Sequence, residues 1–292
     1  MIEIYSARSQ KRKATIEGIW PVFGRIVSYI LVLMLIAVVG FPLLWMLLAS
    51  VKTLREIYTF PPVWIPARLR WENYLEAWQI APFGRFYVNT IIMTFFGTLA
   101  KMVNGILSAY ALSYLRFPRR DLVFLVILAA LMIPPQVTIL PNYLTLASLG
   151  WINTYQALIL PEAGIAFGTF LLRQHFLTLP REILEAARVD GAGHLRILGQ
   201  IVLPMSRPIV MTLLLLTAVG RWNDYLWPLI ATTTKEMRTL PVGIALLLDQ
   251  EGNTQWGQVM AATVMVIVPL LALFALTQRY LVEGATAGAL KG

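Results

Sequence analysis

Apolar positions along the chain come in long uncharged runs, not in the alternation of a strand or the single stripe of a surface helix. Ile26 to Val51 is uncharged for 26 residues, and about 20 suffice to carry a helix across a hydrocarbon core. That predicts a first membrane span. A secretory signal has an apolar core of about 7–15 residues, whereas this run is longer and contains Phe41-Pro42 and Trp45. A second span is predicted from Val88 to Leu115, interrupted only by Lys101. Leu122 to Pro161 is uncharged for 40 residues, too many for one helix. Pro134-Pro135, Pro141 and the polar Ser148–Thr154 segment divide it into a third span and the start of a fourth. The fourth continues to Leu172 with Glu162 inside it, the fifth runs from Pro208 to Ile230, and the sixth lies within the 27 uncharged residues Gly252 to Gln278.

The pattern therefore predicts an all-α, polytopic membrane protein with six transmembrane helices. Residues 1–25 form a tail, 26–283 the six-span domain with a long loop at 173–208, and 284–292 a second tail. Composition agrees, with 58% hydrophobic and 13% charged residues, against about 45–50% and about 25% in soluble domains. A soluble enzyme and a disordered chain are both excluded. The net charge of +9 comes from cations scattered between the apolar runs, not from the basic face that nucleic acid requires. Their distribution orients the chain instead. With both termini inside, 15 Lys and Arg fall on the cytoplasmic side and seven outside, five of those in the first outer loop, which matches the positive-inside rule.

Cysteine is absent, and the two histidines, His175 and His194, have no second ligand at helical spacing, so no zinc site is expected. Both are expected in loops. No phosphate-binding G-x-x-x-x-G-K-[ST] run occurs; transport driven by ATP would need another chain to hydrolyse it.

The loop at 173–208 is longer than a connection between neighbouring spans requires. Pro180 suits a first helical position, Glu182 the positive end of a helix dipole and Gly191 a left-handed cap. A second short helix is predicted from His194 to Val202, with Leu195, Leu198 and Val202 on one face, broken by Pro204 and Pro208. Ala186 and Ala187 leave a nearly bare helix face that a partner surface can approach, and Glu185 and Asp190 can anchor its ends by charged hydrogen bonds. An interfacial helix lying in the headgroups fits the same shape.

Glu185-Ala186-Ala187, Gly191 after three further residues, Ile201 after nine more and then Leu203-Pro204 resemble the EAA motif of binding-protein-dependent ABC importer permeases. Phe41-Pro-Leu-Leu-Trp45, Ala109-Tyr-Ala-Leu-Ser113, Phe170-Leu-Leu-Arg-Gln174, Trp222-Asn-Asp-Tyr-Leu-Trp-Pro228 and Thr239-Leu-Pro-Val-Gly243 resemble the carbohydrate-uptake branch. The tail from Gln278 to Gly292 is similar to that of the six-span subunit of maltose transporters. The resemblance implies that Glu185, Ala186, Ala187, Asp190 and Gly191 form a coupling helix seated on an ATP-binding subunit, with Ile201, Leu203 and Pro204 securing its exit. It implies a bacterial inner-membrane protein working by alternating access. Its partners would be a second, related permease in a heterodimer, two ATP-binding subunits and an extracytoplasmic sugar-binding protein, with lipid around it and no nucleic acid. This chain would bind no cofactor itself, ATP and Mg being held by the ATP-binding subunits. The outer loop from Thr232 to Trp256 would enter the binding protein's cleft, and Gly284 to Gly292 would reach the ATPase interface.

Lys101, Glu162, Arg221 and Asp224 fall inside predicted spans, where an unpaired charge costs at least about 2.5–3.5 kcal/mol. At about 1.5 Å per residue they lie at similar depth. In one reading they line the translocation path with Asn104, Trp222, Asn223 and Tyr225, which offer hydrogen bonds and stacking to sugar rings, and the two cations favour an acidic sugar such as a uronate oligosaccharide. In the other, two charges of each sign neutralise one another. The function expected is the permease subunit of an ATP-driven importer of sugars, oligosaccharides in particular, and not an enzyme. The alternatives are an importer of a non-sugar solute and an ion-coupled secondary transporter.

Overall fold

The computed structural model describes residues 2–248 and 254–289, with side chains over 24–248 and 254–278. Every regular element among the described residues is helical. Helix α1 (Ile2–Ala49) carries the first membrane-length stretch, Gly24–Ala49, and continues helical back to Ile2 through the segment expected as a tail. Its apolar side chains from Leu31 to Val39 are exposed, and only its last turns are buried, against α15 (Trp256–Ala289). Two short helices, α2 (Leu54–Tyr58) and α3 (Glu72–Ile80), lead into α4 (Phe83–Tyr114), the second membrane-length helix. α15 is the third, over Trp256–Gln278. It runs on through 284–289 of the expected C-terminal tail, and residues 290–292 lie outside the described residues.

The remaining crossings are broken helices, and the count reaches six when each bent pair is one span. α5 (Arg120–Ala130) and α6 (Pro135–Ser148) meet at 98°. Pro134-Pro135 makes that break, as expected, but Pro141 sits inside α6 instead of dividing it. α7 (Tyr155–Ile159), extended by one tight turn to Glu162, meets α8 (Ala166–Phe176) at 45°. The fourth span is thus not the continuous helix expected, because Pro161 has no N–H to continue the ladder.

The loop beyond α8 holds α9 (Arg181–Val189), α10 (His194–Ile197) and α11 (Leu203–Met205), with a wide π-type turn over Leu198–Val202 between the last two. Pro204 was expected to stop this stretch. The helix instead passes it: Leu203 N–H reaches back five residues to the Leu198 carbonyl, and the widened turn shifts the ladder where Pro204 can donate nothing. The turn comes at Ser206, after which α12 (Arg207–Trp222) departs at 86°. α12 ends at Trp222, earlier than the fifth span was expected to, and the chain resumes as α13 (Leu226–Ala231) and α14 (Leu240–Ala245).

Three buried clusters hold the bundle. One joins Met102, Ala109 and Tyr110 of α4 to Leu172 and Phe176 of α8, Leu184 of α9, Ile197, Leu198, Val202 and Leu213. A second packs Phe83 and Phe86 against Trp222, Leu240, Val259 and Val266. The third gathers Met93, Leu146, Ala157, Leu158 and Trp227. The loops fall at opposite ends. At one, Tyr114 donates to the Phe176 carbonyl and Arg173 Nε to that of Leu112 at 3.4 Å. At the other, Asn89 donates to the carbonyls of Glu236 and Arg238 at 2.7 and 2.8 Å, and Thr90 Oγ1 accepts from the Leu240 N–H at 2.9 Å.

Candidate functional site

The loop after α8 is an elbow built by sequence-local chemistry. Gly191 has φ +78°, a conformation that costs an L-residue with a Cβ about 1–2 kcal/mol. It lets Ala192 N–H return to the Ala187 carbonyl at 2.9 Å and Gly191 N–H to that of Arg188 at 3.0 Å, closing the C-terminus of α9. Pro180, expected at the first helical position, precedes it by one residue and makes no side-chain capping hydrogen bond.

α9 turns Leu184 into the core, and Ala187 packs against the same cluster. Glu185, Ala186 and Asp190 lie exposed, together with apolar Ile183 and the 88% exposed Val189. Ile201 and Leu203 pack on that cluster too, while Pro204 is exposed. Leu195 does not share the face of Leu198 and Val202: it is 78% exposed, and Ile197 takes the buried place. The histidines are helical instead of lying in loops. His175 belongs to the last turn of α8, and His194 opens α10 with Nδ1 3.1 Å from Tyr110 Oη on α4. The elbow is therefore packed on the bundle's core through one face and exposed on the other, not a strap between spans.

A charged group beside the buried clusters forms the second feature, with Lys101 next to Met102 and Arg221 next to Trp222. The structure brings Lys101, Glu162, Arg221 and Asp224 into one group. Glu162 Oε2 accepts from Arg221 Nη1 at 2.6 Å and from Lys101 Nζ at 3.1 Å, and Arg221 Nη1 also meets Asp224 Oδ2 at 3.2 Å. Arg221 Nη2 donates to the Leu158 carbonyl.

The helix break explains this placement. Without an N–H at Pro161, the Ala157 carbonyl lacks its helical partner, and Trp227 Nε1 donates to it at 2.9 Å. The next carbonyl, Leu158, takes Arg221. A cation at a helix C-terminus is favourable, and the broken backbone is tolerated because it is buried in protein. Arg221 lies against Gly97, where a Cβ would come within 2.8 Å of Nε. Neither Gly97 nor Trp227 was singled out from sequence. Pro161, and Gly97 one turn before Lys101 in a span, were the available signals.

The other residues expected along the path separate. Asn104, Asn223 and Tyr225 are exposed or partly so. Asn223 is engaged with the Val219 carbonyl at 2.9 Å. Trp222 packs into the apolar core, its Nε1 donating to the Val266 carbonyl at 3.2 Å.

The model for the binding-protein-dependent transport system inner membrane component family matches residues 101–285. The chain is 38% identical over 266 residues to the sn-glycerol-3-phosphate transport system permease protein UgpE of Yersinia enterocolitica, covering 89% of this chain and 95% of that one. It is 37% identical to UgpE of Escherichia coli O1:K1 / APEC over the same shares. A solved chain in a bacterial ABC transporter involved in the import of the acidic polysaccharide alginate is 26% identical, with a TM-score of 0.79 over 89% of this chain and 96% of that one. A chain of the alginate transporter in complex with its alginate pentasaccharide-bound periplasmic protein shares the fold at 16% identity, with a TM-score of 0.61 over 85% and 92%. An ion-coupled secondary transporter is thereby set aside. The chain belongs to the family of inner-membrane components of binding-protein-dependent transport systems: it is a multi-pass permease subunit of an ABC importer, not an enzyme.

Proposed function

We propose that this permease pairs with a second, related permease and seats α9 on one of two ATP-binding subunits, which hold ATP and Mg, with both termini in the cytoplasm. The observation that carries this reading is the elbow. Its outward face is small and apolar around Ala186 and Val189, it is rimmed by Glu185 and Asp190, and its inward face is locked to α4, α8 and α12 through Leu184, Ile197 and Val202. A push on such a lever moves the helices as a body. The 15 cations at the elbow end and in the tails support its cytoplasmic placement. At the opposite end, the extracytoplasmic binding protein delivers solute near the loop after α13. That loop is tied to α4 by Asn89 and carries residues 249–253, which lie outside the described residues. An Ala186→Arg complex tests the docking: the ATP-binding subunit is expected to be lost on purification while the partner permease is retained. Retention of the ATP-binding subunit at wild-type stoichiometry contradicts it.

The solute we infer is an anionic sugar or sugar oligomer. The relatives at 37–38% identity are named for a phosphorylated polyol and the solved relative for an acidic polysaccharide, and the charged group within the bundle offers two cations. A small non-saccharide solute is the second reading, favoured by the glycerol phosphate in those names. Uptake of a uronate trisaccharide set against sn-glycerol-3-phosphate separates the two.

A further inference from the structure

The two cations of the intramembrane group are not equivalent. Arg221 is 2% exposed and donates to Glu162, Asp224 and the Leu158 carbonyl, and its guanidinium is backed by Gly97. Both of its terminal nitrogens are engaged, and only Nε lacks a hydrogen-bond partner. Lys101 reaches the group from α4, its side chain is 19% exposed, and it holds Glu162 by one contact of 3.1 Å. An ammonium carries three donors, so a second anion can be bound without first breaking the bundle's backbone contacts.

Lys101 also begins a polar stripe. At 3.6 residues per turn, Lys101, Asn104 and Ser108 share one face of α4; Asn104 is exposed and the other two are partly so. Leu99, Val103 and Leu107, all close to half exposed, occupy a different face. A membrane helix with two exposed faces of opposite character turns the apolar one to lipid and the polar one to water or to another polar surface.

We propose that Lys101, Asn104 and Ser108 line the aqueous path on this subunit, and that Lys101 is its specificity-determining residue, exchanging Glu162 for the oxyanion of the solute. Arg221 is a positioning residue that keeps Glu162 in place as the stand-in anion between transport cycles. The exchange rests on the anionic-solute reading above; the aqueous stripe does not. The group is neutral when no solute is present, which keeps four charges tolerable within the membrane. A carboxylate and a phosphate share the chemistry that Lys101 recognises.

Because the chain contains no cysteine, a single cysteine introduced into it is the only thiol on this subunit, and labelling is read on this subunit after it is separated from its partners. Asn104→Cys and Ser108→Cys are expected to react with membrane-impermeant thiol reagents, and Val103→Cys is expected not to. If neither of the first two reacts in the assembled complex, the stripe packs on the partner permease and the proposal is overturned. A uronate trisaccharide and sn-glycerol-3-phosphate, in separate arms with the cognate binding protein and ATP, are expected to slow labelling of Asn104→Cys at least tenfold for the true solute class. Labelling that neither probe slows contradicts the anionic-solute reading while leaving the stripe intact. Protection that persists undiminished when Lys101→Gln is added overturns the role of Lys101. In uptake assays, Lys101→Gln is expected to raise KM for the anionic probe at least tenfold with kcat little changed, and Lys101→Arg to restore it. Equal loss of kcat in both variants makes Lys101 structural and contradicts the proposal.

Discussion

Trp227 donates its indole N–H at 2.9 Å to the carbonyl of Ala157, the group that Pro161 leaves without a helical partner. Two residues 70 positions apart thus repair a break in the middle of a membrane span. Trp227→Phe leaves that buried carbonyl unpaired, which costs about 1–3 kcal/mol, and is expected to lower the thermal unfolding midpoint of the detergent-solubilised complex. Pro161→Ala supplies a competing N–H, so the same substitution in that background is expected to cost less. Equal losses in both backgrounds contradict the repair.

Gly97 is required by contact. A Cβ there approaches Arg221 Nε to 2.8 Å, and Gly97→Ala is expected to destabilise by about 1–3 kcal/mol through overpacking and displacement of the guanidinium. Gly220, on the neighbouring helix, has open space around its Cβ position. Gly220→Ala is expected to be neutral or to stabilise by up to about 1 kcal/mol from helix propensity. Similar unfolding midpoints for the two variants contradict the packing argument.

At the elbow the demand is conformational. Gly191 has φ +78° with nothing near its Cβ position, so strain alone separates substitutions. Asn and Asp adopt the left-handed region more readily than β-branched residues do. Substrate-stimulated ATP hydrolysis by the assembled transporter is expected to fall in the order Gly191→Asn, Gly191→Asp, Gly191→Val. A Gly191→Val complex with wild-type stimulation is inconsistent with a coupling elbow.

Outside the membrane, Glu56 accepts from the N–H groups of Thr53 and Ala67 at 2.9 and 3.0 Å. These hydrogen bonds, that of Thr53 first, hold its carboxyl below the ordinary carboxylate range. A depressed folded-state pKa contributes stability that is fully present above the unfolded value of about 4.3 and is lost as pH falls through the folded one. Glu56→Gln is expected to flatten the pH dependence of the unfolding midpoint below about pH 4.5 and to leave its slope above pH 6 unchanged. An unaltered acid limb contradicts this.

The legible parts were those written locally. Uncharged runs located the crossings, and Gly191 three residues beyond Arg188 announced the turn whose geometry the structure shows. The breaks were less legible, because Pro161 marks a place where a helix can stop but not the Trp227 and Arg221 donors that make stopping tolerable. Lys52 was counted among the outer cations. It is buried, its Nζ bonded to the Val63 carbonyl and 4.5 Å above the Trp45 ring, a lysine that looks solvated in sequence and is not. Trp222 and Trp227 sit in one motif, and only Trp222 was expected to stack on a sugar. One fills the apolar core and the other caps a broken helix, a difference set by the direction of α12 and α13 and not by residue type.

The central claim is that this chain moves solute only when its elbow is driven by ATP-binding subunits. Solute uptake into proteoliposomes tests it most directly, comparing this chain alone under an imposed ion gradient with the complete complex, its binding protein and ATP. The account predicts uptake by the complete complex with ATP and none by the chain alone. Gradient-driven uptake by the chain without an ATP-binding subunit would contradict it.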